Sequence, residues 1–357
     1  MKQAQGLATR LIHLSVSAPK NQPDTSPTFH IDDSMSIPTD TLFCPSHRAG
    51  LQLALHRKAA PTGPTGPNGA AVLFVHGSSF PTALAADFVI DQASWMGSLS
   101  AAGYAVYGLD FLGYGAADRY PEMHLNSNPI CENAPGRAMQ VAADLAHTIA
   151  RVRQDSLCQQ LHVVAHSWGG SVALRCLSDY PEAQAQVTSL VLLASILSRE
   201  TGQSGSGSAP AAAYLDMSPQ QRWQAMADLS ADPSHPWLVA EVQANWRAAW
   251  LASDMQGQSA HPGSVRFPNG PNQDLADLLA GRTYYELSRL SLPVLLLRGD
   301  ADTYPTDADY RHLLAQLKHT ASRYACIANA SHVLHLEQAR AQVMAHLAQW
   351  LADMVAV

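Results

Sequence analysis

The chain has 357 residues, of which 47% are hydrophobic and 14% are charged, and its formal net charge is −7. That length and apolar content are enough for a sizeable core, in one large domain or two small ones. Because there is no basic stripe or run of Lys and Arg, the composition argues against nucleic acid and anionic membrane surfaces as partners. No stretch approaches the roughly 20 apolar residues that a membrane-spanning helix needs.

Cysteine usage and motif content narrow the class of protein further. Five cysteines are scattered without a C-x-x-C pair, and an odd number cannot all pair within one chain. We therefore expect reduced thiols and a cytoplasmic protein, and Leu11–Val16 is too short for the core of a signal peptide. His162 and His166 are four apart, but on a predicted strand and the turn after it they cannot share a helical face as metal ligands. With no Gly-rich phosphate loop or dinucleotide fingerprint either, we predict neither a metal nor a cofactor.

The N-terminal part of the chain shows no regular pattern. Residues 1–40 are rich in Ser, Thr, Pro and Asp and lack sustained periodicity, which predicts an extended N-terminal arm or lid. Pro61–Gly69 is a turn-rich stretch that we interpret as a hairpin connection.

Six short and almost uniformly apolar runs follow, separated by helical patterns. Such runs are typical of strands buried on both faces of a parallel sheet. Apolar residues at helical spacing over 141–152 and over 313–317 predict two crossover helices. The alternation predicts a doubly wound α/β fold. The six predicted strands are Ala71–Val75, Ala105–Leu109, Leu161–Ala165, Ser189–Ala194, Pro293–Leu297 and Arg323–Ile327.

One long segment interrupts this alternation. From about residue 197 to residue 290 there is no strand signal, and its start, Gly202–Pro210, is Gly/Ser-rich, which predicts a mobile stretch. We predict a mainly helical insertion over 198–288, lying on a core built from 41–197 and 289–357. For any one tryptophan of this segment, packing is favoured over ligand contact. The segment holds four of the seven tryptophans, Trp223, Trp237, Trp246 and Trp250.

A nucleophile elbow is indicated around Ser167. A buried strand ends, a serine follows, and a helix begins within two residues, so a sharp turn would expose the hydroxyl above the sheet. The crowded turn needs small residues on both flanks, and Ala165 and Gly169 provide them. The usual pattern is G-x-S-x-G, from which Ala165 departs by one methyl group. The alternative is an ordinary strand–helix turn.

A serine nucleophile needs a base and a group that orients the base. In this kind of fold an acid and then a histidine follow the serine in the chain. Asp302 is favoured as the acid because it lies just beyond a strand, whereas Asp300 directly follows Gly299 and suits a turn. His332 is favoured as the base because it lies in the polar loop after the last strand. His335 begins an apolar, helix-like pattern and is expected to support the site or to face solvent.

Donors for the developing negative charge are expected in the loop after the first predicted strand. The backbone N–H of Ser78 or Ser79 and the backbone N–H of Trp168 are the candidates for an oxyanion hole. We interpret His76 as a structural residue that orients this loop through hydrogen bonds. Four residues are assigned to substrate binding: Phe80, His166, Trp223 and Trp246.

Taken in order, these motifs resemble the α/β-hydrolase superfamily over about residues 40–350. The chain carries V-H-G at 75–77, D-F-L-G-Y-G at 110–115, the elbow around Ser167, G-D-A-D at 299–302 and S-H-V-L-H-L-E at 331–337. The resemblance implies that 198–288 is a cap, that cap and core enclose an active-site cleft, and that no cofactor is needed. It also implies that D-F-L-G-Y-G is a structural turn near the cleft, with Asp118 and Arg119 as surface or packing residues.

The identity of the nucleophile selects among the reactions of the superfamily. Epoxide hydrolases and haloalkane dehalogenases of this fold use an aspartate at the elbow, and the serine here predicts acyl transfer to water. We expect a carboxylic ester, lactone or thioester as the substrate, less often an amide, and the aromatic-rich cap favours a hydrophobic one. Three alternatives stay open: a carbon–carbon bond hydrolase, an acyltransferase, and a receptor that binds a ligand without turnover. The sequence does not indicate an oligomeric state.

Overall fold

An eight-stranded sheet forms the centre of the computed structural model, which describes residues 39–60, 69–124, 126–199, 208–232, 237–254 and 262–355. The strands run β1 (Asp40–Pro45), β2 (Gln52–Lys58), β3 (Ala70–Val75), β4 (Ala105–Asp110), β5 (Ile130–Cys131), β6 (Gln160–His166), β7 (Ser189–Leu193), β8 (Ala211–Ala212), β9 (Tyr214–Met217), β10 (Val265–Pro268), β11 (Val294–Gly299) and β12 (Arg323–Ile327). The central sheet has the order β1-β2-β4-β3-β6-β7-β11-β12. Its pairs from β4 to β12 are parallel, whereas β1 and β2 run antiparallel to their neighbours.

Helices connect the parallel strands and cover the sheet. They are α1 (Trp95–Ala101), α2 (Ala138–Ser156), α3 (Trp168–Asp179), α4 (Pro181–Gln184), α5 (Pro219–Ala227), α6 (Ala240–Ala252), α7 (Gly270–Leu279), α8 (Asp307–Gln316) and α9 (Arg340–Val355). Both predicted crossover helices are present as α2 and α8. The prediction of a doubly wound α/β fold is confirmed. In the part of the chain that the structure describes, no helix combines the length and the apolarity that crossing a bilayer requires.

All six predicted strands form, and the register aligns their carboxyl ends. Val75 lies opposite Ala165, and Ala165 lies opposite Leu192 on the next strand. The loops that follow β3, β6 and β7 therefore emerge at one edge of the sheet, where ligands bind in open α/β folds. The uniform burial of β3, where every residue is buried, explains why these strands read as continuous apolar runs.

The two strands β1 and β2 were not predicted. Most residues of β1 are exposed because it lies at the edge of the sheet, so its sequence lacks the continuous apolar run used to identify buried strands. In β2 only Leu53, Ala54 and Leu55 are buried, and a run of three apolar residues gives a weaker sequence signal.

The segment between β7 and β11 contains helices α5, α6 and α7, as a mainly helical insertion requires. It also contains three short strands, so the expectation of no strands there is wrong. β8 pairs with β5, and β9 pairs with β10, through strands of two to four residues. Pairing between distant short segments leaves no periodic signal in the sequence. The division at residues 198 and 288 into core and cap stays a prediction.

Three expectations concern residues that fall outside the described part of the chain. They are the N-terminal arm up to residue 38, the hairpin connection over 61–68, and the Gly/Ser-rich stretch over 202–207.

Candidate active site

Ser167 occupies a strained turn between β6 and α3. Its backbone has φ 54° and ψ −126°, a conformation that a residue other than glycine adopts only where the surrounding structure enforces it. Three backbone hydrogen bonds of 3.0 Å hold it: Ser167 N–H donates to the Leu193 carbonyl, and the N–H groups of Gly170 and Ile196 donate to the Ser167 carbonyl. The hydroxyl is thus fixed at the carboxyl edge of the sheet, as the elbow pattern predicts.

The glycines around this turn are required by close packing. A Cβ on Gly169 would overlap the carbonyl oxygen of His76 and lie 2.9 Å from that of Val75. A Cβ on Gly170 would overlap the side chain of Ser195, which follows β7. The start of α3 can therefore approach the neighbouring loops only because both positions lack a side chain.

Three side chains from three different loops meet at this edge of the sheet. Ser167 Oγ lies 2.8 Å from His332 Nε2. On the other side of the ring, His332 Nδ1 lies 3.1 Å from Asp302 Oδ2 and 3.3 Å from Asp302 Oδ1. All three residues are at most 5% exposed, so the chain of contacts is shielded from water. This is the geometry in which an imidazole can take a proton from a serine hydroxyl.

The loop after β11 distinguishes the two candidate acids. Asp302 is buried, and its Oδ1 accepts the Tyr304 N–H at 2.9 Å while Arg298 Nη2 donates to its backbone carbonyl at 2.9 Å. Asp300 is exposed and accepts the Ala330 N–H at 3.3 Å. Asp300 therefore stabilises the turn, and Asp302 faces the imidazole.

The loop that carries His332 is held by two neighbours. Ser331 N–H donates to Glu337 Oε2 at 2.7 Å, and its hydroxyl donates to the other carboxylate oxygen. Burial raises the pKa of Glu337, and the hydrogen bonds from Ser331 offset part of that rise. His166 Nε2–H donates to the His332 carbonyl at 3.0 Å. The backbone that carries the imidazole is thus held at Ser331, before His332, and at the carbonyl of His332 itself.

His335 is buried, so the expectation that it could face solvent is wrong. It is 5% exposed, and its ring lies 4.6 Å from the ring of His166, edge to face. Neither ring nitrogen has a hydrogen-bond partner among the described residues. Burial, with a smaller contribution from His332, lowers the pKa of His335 to about 3. The helix-like pattern that suggested an exposed position begins later, since α9 starts only at Arg340.

The predicted oxyanion-hole donors lie around the serine. Trp168 is the first residue of α3, where a backbone N–H has no partner within its helix, and in the described chain it has no other acceptor. Ser79 has φ 74°, in the left-handed region of the backbone map. His76 holds this loop, since its Nδ1–H donates to the Gly77 carbonyl at 2.6 Å and its Nε2 accepts the Phe111 N–H at 3.2 Å. These hydrogen bonds orient the loop, which is the structural role predicted for His76.

The four residues assigned to substrate binding form one buried aromatic group. The Phe80 ring lies 6.2 Å from that of His166 and 5.7 Å from that of Trp246. Trp223 lies 5.8 Å from Trp246. Part of this contact is structural, because the Trp246 indole donates to the Leu84 carbonyl and stacks on Trp250. Their contact with substrate stays a prediction.

Three residues beside the site were not identified from the sequence. Asp274 in α7 accepts the Trp168 indole N–H at 2.9 Å. Tyr114 is buried with its ring 4.7 Å from that of His76, and Arg222 in α5 lies over the Phe80 ring with its Cζ 5.5 Å from the ring centroid. The Y of D-F-L-G-Y-G was a signal for Tyr114, but Asp274 and Arg222 come from the segment between β7 and β11 and reach the site only through tertiary packing. Within the described ranges, no three His, Cys, Asp or Glu side chains are grouped to hold a metal.

Solved structures similar to this chain are α/β hydrolases of low sequence identity. The thioesterase domain from the curacin biosynthetic pathway is 18% identical with a TM-score of 0.56, covering 87% of this chain and 98% of that one. An esterase from Exiguobacterium antarcticum is 15% identical with a TM-score of 0.57, covering 87% and 98%. A bacterial membrane phospholipase A is 18% identical with a TM-score of 0.55, covering 88% and 86%. At these identities the similarity establishes the fold.

A sequence model of a protein family shows the family to which the chain belongs. No curated protein matches the chain significantly. The model described as the alpha/beta hydrolase family matches residues 72–346, which include the strained serine, its histidine and the buried aspartate. Because that match covers well over half of the 357 residues, the chain belongs to the alpha/beta hydrolase family.

Proposed function

We propose that the protein is a serine hydrolase that cleaves a carboxylic ester, or a related lactone or thioester, through an acyl-enzyme. The observation that carries the proposal is the buried contact series from Ser167 Oγ to His332 Nε2 at 2.8 Å and from His332 Nδ1 to Asp302 Oδ2 at 3.1 Å. Ser167 is the nucleophile, His332 the base, and Asp302 the acid that orients the base.

In the first half of the reaction, Ser167 Oγ attacks the acyl carbon while His332 Nε2 takes its proton. The carbonyl oxygen gains negative charge, which the N–H of Trp168 and the N–H of Ser78 or Ser79 stabilise. His332 then gives its proton to the leaving oxygen, and the acyl group stays on the serine. In the second half, His332 activates a water that releases the acid and restores the serine.

The surroundings of Ser167 favour a largely apolar substrate. Phe80, Trp223 and Trp246 are each buried near the serine, on the loop after β3 and on helices α5 and α6. Similar solved structures are named as an esterase, a thioesterase domain and an N-acyl homoserine lactone degrading enzyme, which supports an oxygen or sulfur ester as the bond cleaved.

A cytoplasmic location is part of the proposal. It is supported by the cysteines, none of which is in a disulfide in the structure.

Labelling with a fluorophosphonate probe tests the nucleophile. The wild-type protein should be labelled, Ser167→Ala should not, and Ser288→Ala, which changes an exposed serine, should be labelled like wild type. A series of 4-nitrophenyl esters of increasing chain length then tests the reaction, with turnover expected to favour the longer, apolar chains.

The same experiment separates the alternatives. A competing alcohol that diverts most of the acyl group to a new ester would identify an acyltransferase. Labelling without turnover of any ester, together with cleavage of a vinylogous 1,5-diketone, would favour a carbon–carbon bond hydrolase. A folded wild-type protein that is neither labelled nor active would contradict the proposal and favour a ligand-binding receptor.

A further inference from the structure

Arg222, on helix α5, lies over Phe80 in the loop that follows β3. Its guanidinium carbon is 5.5 Å from the centroid of the Phe80 ring, and that ring is 6.2 Å from the ring of His166, the residue before the nucleophile. The end of α5 is tied to the loop of Asp302 by backbone hydrogen bonds, from Ala231 N–H to the Ala301 carbonyl at 2.7 Å and from Thr303 N–H to the Leu229 carbonyl at 3.1 Å. The arginine is therefore held over the site by the fold.

This arginine has no counter-ion. Within the described residues its guanidinium makes no ion pair and no hydrogen bond, and its Nε is buried without a partner. Of the four fully buried arginines among the described residues, Arg298 donates to the backbone carbonyls of Pro305 and Asp302, and the other three each bind an aspartate. These pairs are Arg119 with Asp254 at 3.1 Å, Arg137 with Asp274 at 2.8 Å, and Arg266 with Asp216 at 2.9 Å. Arg222 is half-buried, and a partly desolvated guanidinium without a counter-ion is available to bind a negatively charged group of a ligand.

The side chains that face Arg222 are neutral. Burial raises the pKa of Tyr114, and burial together with neighbouring positive groups lowers the pKa of His166 far below its usual value. Burial also lowers the pKa of Arg222 itself, to about 10, which still leaves it positively charged at neutral pH. Arg222 thus places one positive charge over Phe80, and no carboxylate among the described residues forms an ion pair with it.

We propose that Arg222 binds a carboxylate of the substrate, so that the substrate is an ester with an apolar body and one carboxylate group. This inference rests on the proposed ester hydrolysis and names its substrate class. A guanidinium presents two parallel N–H donors that match a carboxylate. One cation among neutral groups matches a single negative charge, which favours a carboxylate over a phosphate dianion.

Two matched pairs of esters test the inference. Mono(4-nitrophenyl) glutarate and its methyl ester differ in a carboxylate on the acyl side, and 4-acetoxybenzoate and its methyl ester differ on the alcohol side. We expect wild type to favour the charged member of at least one pair by about tenfold or more in kcat/KM, the usual size of a charge-assisted hydrogen bond. Arg222→Met should remove this preference and leave the neutral esters within about twofold, because it removes only the charge-specific contact.

Control variants separate this effect from a general loss of activity. Arg222→Lys keeps the charge and should keep part of the preference, and Arg247→Met removes another half-buried arginine of the same segment and should change nothing. Fluorophosphonate labelling of Arg222→Met at the wild-type rate would show that Ser167 remains reactive. Absence of a preference for the charged ester in both pairs, or an equal loss on charged and neutral esters in Arg222→Met, would overturn the inference.

Binding measurements keep the inference distinct from the proposed reaction. Calorimetric titration of Ser167→Ala with the four esters requires no turnover, and the charged members should bind more tightly. Adding Arg222→Met should abolish that difference. If wild type fails to cleave any ester while this binding difference is present, the proposed reaction fails and the carboxylate site stands. If esters are cleaved and the binding difference is absent, the proposed reaction stands and the carboxylate site fails.

Discussion

Replacing Asp302 with asparagine would place the wrong hydrogen-bonding group against His332. Oδ1 of Asp302 accepts the Tyr304 N–H at 2.9 Å, so this position must remain an oxygen. The amide nitrogen of the new side chain therefore takes the place of Oδ2, which lies 3.1 Å from His332 Nδ1. An N–H directed at Nδ1 selects the tautomer that carries its proton on Nε2. That nitrogen faces Ser167 Oγ at 2.8 Å and would donate a hydrogen bond instead of accepting the serine proton.

The expected cost follows from the loss of the base. Holding the histidine in the wrong tautomer typically lowers kcat by about 10⁴, equivalent to roughly 5.5 kcal/mol of barrier. KM should change little, because Asp302 is 4% exposed behind the imidazole and is not placed to contact substrate. The assay is hydrolysis of a 4-nitrophenyl ester under saturating conditions, with circular dichroism to confirm folding.

Asp300→Asn is the matched control for this prediction. Asp300 is exposed and accepts only the Ala330 N–H, which an asparagine oxygen can also accept, so activity should stay within about twofold of wild type. A folded Asp302→Asn variant with more than about a tenth of wild-type kcat would refute the tautomer argument. A large loss of activity in Asp300→Asn instead would show that the assignment of Asp302 as the acid is wrong.

Three further substitutions have expected outcomes. Gly169→Ala should destabilise the protein by about 1–3 kcal/mol in a urea titration and lower kcat, because its Cβ would overlap the His76 carbonyl in the loop that carries the proposed oxyanion donors. The pKa of His335 is lowered in the folded state from 6.5 to about 3, so its contribution to stability is complete above pH 6.5 and is lost as the pH falls toward 3. Between pH 7 and 5 this amounts to about 2 kcal/mol, and His335→Phe should reduce the pH dependence of the free energy of unfolding by that amount. Arg137→Met should cost about 3–5 kcal/mol, because it leaves the buried Asp274 carboxylate without its cation.

Each of these has a control or a contrary outcome. Gly97→Ala lies within α1, where the nearest atom to the new Cβ is the Ser94 hydroxyl at 3.2 Å, and should be neutral or slightly stabilising. An unchanged pH dependence in His335→Phe would show that its ring is not kept neutral by burial. If Arg137→Met and the double variant with Asp274→Leu were equally unstable, the cost would not come from an unpaired carboxylate.

The sequence by itself determined the central sheet and the residues around Ser167. Five of the six predicted strands are buried, and such strands can be identified because a strand covered on both faces must be apolar throughout; the sixth, β12, lies at the edge of the sheet and is partly exposed. The elbow, the aspartate after β11 and the histidine after β12 are legible because each lies in a short loop directly after such a strand. Parallel strands end at one edge of the sheet, so residues far apart in sequence are brought together there, and chain order alone indicates that they meet.

Only the tertiary structure decided what surrounds these residues. The edge strand β1 and its neighbour β2 join the sheet through the pairing of β2 with β4, and the short pairs involving β8 and β10 also join distant segments. No local periodicity encodes such contacts. Packing likewise decides whether His335 is exposed, which side chain Asp274 binds and whether Arg222 has a counter-ion. A charged side chain looks the same in sequence whether it is solvated, paired or buried alone, because the difference lies in which neighbours the folded chain places within hydrogen-bonding distance.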